Sequence, residues 1–73
     1  SVQFYPNPVS NELHVSTAEL AQNFFVVDNS GRIWKQIPAT SKEQVLDVSE
    51  LASGSYSLVV VFPSGYATQK FVK

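Results

Sequence analysis

Apolar positions recur at every second residue along this chain far more often than at helical spacing. Glu12 to Ser16 is the plainest case, with Leu13 and Val15 on one face and Glu12, His14 and Ser16 on the other. Gln44 to Val48 repeats the pattern with Leu46 and Val48. Ser55 to Phe62 (SYSLVVVF) sets Tyr56, Leu58, Val60 and Phe62 on one face. Asn23 to Asp28 (NFFVVD) is apolar on both faces, which predicts a central strand covered on both sides. Val2 to Phe4, Arg32 to Ile37 and Tyr66 to Val72 complete a set of seven short strands. Between them stand turn signals at Pro6-Asn7-Pro8, Asn29-Ser30-Gly31, Pro38 to Ser41, Ser53-Gly54 and Pro63-Ser64-Gly65.

Only two stretches have helical character, Thr17 to Gln22 and Ser49 to Ser53. Both fall below the ~12 residues an isolated helix needs, so each predicts a single turn joining strands. Seven short strands at spacings near ten residues predict an all-β fold, a small antiparallel immunoglobulin-like β-sandwich, with residues 1–73 as one domain. Two facing sheets cover the apolar side of each strand.

The chain has 73 residues, which fits one domain. Charged residues are 15% of it, against a typical ~25%, and Ser and Val fill the gap. A net charge of -1 argues against nucleic acid as a partner, because phosphate binding needs a basic face. The longest apolar run, Leu58 to Phe62, is one strand and far short of the ~18 residues of a membrane helix. With no Cys there are no disulfides, thiolate metal sites or thiol nucleophiles. Met is also absent and the sequence opens Ser1-Val2-Gln3, which predicts a piece of a longer chain or a processed product, with any signal peptide upstream.

Reactive constellations are scarce. His14, the one histidine, falls on an outward strand position without a nucleophile and carboxylate beside it in sequence. No Gly-x-Ser-x-Gly elbow or Gly-rich phosphate loop occurs. Asp28 and Asp47 sit near strand ends, where Asp usually caps a turn, and Glu43 and Glu50 read as solvated positions. These residues predict neither catalysis nor a metal site nor a cofactor. Most of the nine aromatic residues fall at core phase and read as packing. Trp34 is the exception, since its neighbours leave its face open. An exposed Trp34, gathered with Tyr5 and Tyr66 in a concave patch, would favour a different reading: an accessory carbohydrate- or protein-binding module of an extracellular enzyme.

Four blocks of punctuation carry more than any reactive side chain. Tyr5-Pro6-Asn7-Pro8, with Leu13 following, resembles the opening of the type IX secretion system (Por secretion system) C-terminal sorting domains, type A. Asp28 and Gly31 resemble that family's turn between two strands. Leu46-Asp47-Val48-Ser49-Glu50-Leu51-Ala52-Ser53-Gly54-Ser55-Tyr56 is similar to its D-V-S-x-L-x-x-G-x-Y block, in which Leu51, Gly54 and Tyr56 match. Gly65 and the ending Lys70-Phe71-Val72-Lys73 resemble its terminal hairpin and basic-apolar-basic close. The likeness runs from about Phe4 to Lys73.

The resemblance implies a non-enzymatic secretion signal of a Bacteroidetes-type bacterium, joined at its N-terminal side to a larger cargo. Its implied partners are the outer-membrane secretion machinery and a surface sortase that removes the domain at or just before the start of this chain. Its implied route is the periplasm, then the cell surface or the extracellular space. Within this frame the internal motif residues predict folding roles: Gly31 and Gly54 for turns, and Leu51 as a plug beneath Tyr56. Lys70, Phe71, Val72 and Lys73 are the candidate recognition residues. They end a terminal strand, and an edge strand offers backbone groups to a partner or to a second copy, giving a route to dimerisation. Lysines there also guard an edge against aggregation.

Overall fold

A computed structural model describes residues 2–5 and 9–73; the Pro6-Asn7-Pro8 turn lies outside the described residues. Seven strands follow one another with no helix among the described residues: β1 (Val2–Tyr5), β2 (Glu12–Thr17), β3 (Asn23–Asp28), β4 (Ile33–Pro38), β5 (Glu43–Asp47), β6 (Ser55–Phe62) and β7 (Gly65–Val72). They form two sheets, one ordered β1-β2-β5 and the other β4-β3-β6-β7, with antiparallel pairing throughout. The alternating pattern sets the register, because a one-residue slip would turn every inward side chain to solvent. Leu13 therefore faces Leu46 across β2 and β5, while Phe24 faces Val60 across β3 and β6.

The core lies between the sheets. Leu13, Phe24, Val26, Leu46, Val60 and Phe71 are at most 1% exposed. Each burial of this kind contributes about 1.5–3 kcal/mol. Phe71 comes from β7, close to the far end of the sequence, and packs edge-on against Phe4 of β1 at 6.2 Å between ring centres. The aromatic residues thus join the first and last strands across the sandwich.

Three details depart from the sequence reading. β3 is central in its sheet, as its composition predicts, but covered on one side only. Phe24 and Val26 are buried, whereas Phe25 and Val27 stay half-exposed on the outer face. Of the predicted turn at Thr17 to Gln22, Thr17 is instead the last residue of β2, and the rest is a bent, irregular connection to β3 in the other sheet. Thr17 donates its N–H to the Lys42 carbonyl at 2.8 Å, Gln22 donates to Val61 at 2.7 Å, and Ala21 is buried midway. Hydrogen bonding of both ends, to the residue before β5 and to β6, outcompetes a helical nucleus of six residues. Finally, β4 carries a bulge: Lys35 pairs with Val26 and Ile33 with Val27, leaving Trp34 as the extra residue. The bulge is why alternation could not assign Trp34 a face.

Candidate recognition surface at one end of the sandwich

Segments far apart in sequence meet at the end of the sandwich where β6 begins and β7 finishes. The connection from Val48 to Gly54 is folded back on itself, with Leu51 N–H donating to the Val48 carbonyl at 3.1 Å. Leu51 is buried, and the Tyr56 hydroxyl donates to the Ala52 carbonyl at 2.6 Å. The Tyr56 ring stacks on Phe71 at 5.6 Å. Leu51 and Tyr56 close this end of the core, and a buried hydroxyl with a partner avoids the penalty of an orphaned polar group. The N-terminal segment joins them, since Asn11 accepts from Val48 N–H at 2.9 Å and Val9 donates to Val72 at 2.7 Å.

Lys73 ties the loop shut. Its ammonium donates to the carbonyls of Val48, Ser49 and Leu51 at 2.7, 3.0 and 2.5 Å. Its backbone exchanges two hydrogen bonds with Gly54, at 3.0 and 2.8 Å. Gly54 adopts φ 154°, which side chains rarely tolerate, so the residue that permits this turn also anchors the end of β7. The four candidate recognition residues therefore divide. Phe71 is core and Lys73 is engaged by three carbonyls. Lys70 and Val72 face outward, with Val72 48% exposed and its carbonyl accepting from Val9.

The β3–β4 turn lies beside this loop, because Asp28 pairs with Tyr56 in register. One Asp28 oxygen accepts from the Ser30 N–H at 2.9 Å, the Ser30 hydroxyl at 2.7 Å and the Arg32 N–H at 2.9 Å. Those donors, the Ser30 hydroxyl foremost, hold its carboxyl down at about 2. Gly31 in this turn takes φ 87°, in the left-handed region that a Cβ disfavours. Asp47 plays a parallel part: its carboxylate accepts from Ser49 N–H at 3.0 Å, and bonds from Ser49 lower its pKa. Both aspartates are turn caps, the role their positions predict. Gly65 is set apart at the opposite end, in the turn of the β6–β7 hairpin.

The three aromatics that would mark a binding module do not gather. Trp34, Tyr5 and Tyr66 are 48%, 63% and 74% exposed, but each lines a different hollow. Trp34 lies under the Arg32 guanidinium, 5.8 Å from its ring centre. Tyr5 stacks on His14 at 4.8 Å on the outer face of the three-stranded sheet, with Glu12 4.0 Å from the imidazole. Sequence reasoning passed over the outer face of β3 and β6. The signal was present in both segments: NFFVVD is apolar in both phases, which predicts cover on both sides, and LVVVF carries Val59 and Val61 in the phase opposite the face assigned to Tyr56, Leu58, Val60 and Phe62.

The family model for secretion system C-terminal sorting domains matches residues 3–73. Comparisons with curated proteins and with solved structures return no match.

Proposed function

The chain belongs to the family of type IX secretion system C-terminal sorting domains, and from that membership we propose that the β6–β7 hairpin, residues 55–73, is the surface the secretion machinery reads. Sorting domains of this family are export signals rather than catalysts. They are carried by a cargo on their N-terminal side and direct it to the cell surface or the extracellular space. The match over residues 3–73 is the observation that carries this function. On the proposed reading the cargo pauses in the periplasm, the folded domain engages the outer-membrane machinery, and a surface sortase then cuts the domain away.

Two features support the hairpin as the recognised element. β7 is an edge strand, so its outer backbone and outward side chains are open to a partner over most of their length. Lys70 is exposed and makes no ion pair among the described residues, whereas Lys73 is committed to the loop carbonyls. Electrostatic recognition therefore rests on Lys70, with Phe71 and Lys73 holding the strand in place. The test is Lys70→Glu in a cargo fusion, with Lys42→Glu on the exposed β4–β5 loop as the control. Export should fall at least tenfold for the first and stay normal for the second, with both folded by circular dichroism. Undiminished export of the Lys70→Glu fusion would show that Lys70 only guards an edge.

A further inference from the structure

The outer face of the four-stranded sheet has an apolar centre that no other part of the described chain covers. Phe25 and Val27 on β3, and Val59 and Val61 on β6, are half-buried on this face. Ile33 on β4 and Tyr66 on β7 flank them, 58% and 74% exposed. Together they line an open hollow of about 650 Å³ with no acidic side chain in its wall. Toward the motif end the face continues into a second hollow of about 380 Å³, bordered by Ser55, Ser57 and Val72, where Lys70 is the charged residue. The acidic residues Glu12, Glu43 and Asp47 lie instead on the outer face of the other sheet.

We propose that this face docks an amphipathic helix of a protein partner, its apolar stripe over Phe25 and Val59 and an acidic side chain on its flank against Lys70. The inference rests on the sorting reading, in which that partner belongs to the export machinery. Charge complementarity selects an acidic partner, since Lys70 is the charged residue of the adjoining hollow and neither hollow has an acidic side chain in its wall. Width suits a helix: β4 and β7 lie three strand spacings apart, ~14 Å, and a helix with its side chains is ~10–12 Å across. A second copy fits less well. Its matching face would bring a second Lys70 and no acidic side chain to meet the first. A lipid surface rewards anchors that protrude, whereas Phe25 and Val59 form the floor of a hollow.

The 73-residue chain, labelled for amide NMR, is titrated with a synthetic helical peptide bearing Leu at i, i+3, i+4 and i+7 and Glu on one flank. A twin peptide carries Lys in place of Glu. Shifts should concentrate at residues 25, 27, 59 and 61, and the Glu peptide should bind at least fivefold more tightly than its twin. Val59→Glu should weaken binding tenfold or more. Tyr66→Glu, at a position too exposed to threaten the fold, should weaken it in the same direction. Lys70→Glu should reverse the preference between the two peptides. Shifts along the β4 edge instead, or equal affinity for both peptides, would overturn the proposal. So would binding of phosphatidylglycerol vesicles through this face without peptide binding, or self-association through it. If the peptide fails to bind while Lys70→Glu still blocks cargo export, the helix site falls and the hairpin reading stands. If the peptide binds as described and Lys70→Glu cargo is exported normally, the hairpin reading is what fails.

Discussion

Lys73 shows how one side chain can look like a recognition element and act as a structural one. Three carbonyls of the Val48–Leu51 turn share its ammonium, and carbonyls gathered this way repel one another without a cation between them. Replacing it with Met keeps the aliphatic stem and removes the donors. Hydrogen bonds from a charged group are worth ~1.5–3 kcal/mol when buried, and solvent here discounts that. Lys73→Met should cost about 1–2 kcal/mol, read from the urea midpoint, and an unchanged midpoint would show that water replaces the ammonium. Asp28 makes a pH prediction of its own. Its folded pKa of about 2 lies below the ordinary carboxylate value of 3.8, so ionised Asp28 favours the folded state. That contribution is complete above about pH 4 and is lost as pH falls toward 2. Asp47 is shifted in the same direction. Unfolding midpoints of the parent chain and Asp28→Ala should therefore differ at pH 6 and converge near pH 2. A gap that stays constant across that range would remove Asp28 as the cause.

Most elements were legible in the sequence because alternation with a period of two has one physical meaning when one face is buried. β3 and β6 appear where the pattern predicts, and β1, β2, β4, β5 and β7 differ by single residues at their ends. What the pattern could not carry was anything that breaks the period. The bulge at Trp34 is one such break, and the Val48–Gly54 loop, with no period at all, is another. Its motif letters could be recognised, but not that Lys73 reaches back to it from the end of β7. That reach is a long-range contact with no local signature. Within the loop, burial and hydrogen bonding can be separated. Leu51→Ala leaves a void in the core end and should cost ~2–4 kcal/mol. Tyr56→Phe keeps the ring on Phe71 and removes only the bond to Ala52, for about 1 kcal/mol. Chemical denaturation of the two variants checks the order, and a larger loss for Tyr56→Phe would mean that the hydroxyl, not the plug, organises this end.

At the scale of the whole molecule, closure depends on the strand that the sorting reading also makes the recognised one. β7 pairs with β6 along eight positions, supplies Phe71 to the core, receives Val9 at Val72 and holds the motif loop through Lys73. It also reaches the first strand, since the Gln69 side chain donates to the Val2 carbonyl at 2.6 Å. A domain of this size buries only ~60% of its unfolded surface, so it has little stability in reserve. Removing residues 66–73 should therefore abolish the fold rather than expose an intact six-stranded remainder. The expected result is loss of the cooperative urea transition and of near-ultraviolet circular dichroism, with β6 left as an unpaired apolar edge that aggregates. A truncated chain that still unfolded cooperatively would show that the other six strands suffice. The consequence for sorting is direct: loss of export on truncation reports loss of the fold, whereas a single exposed change such as Lys70→Glu can separate being folded from being read.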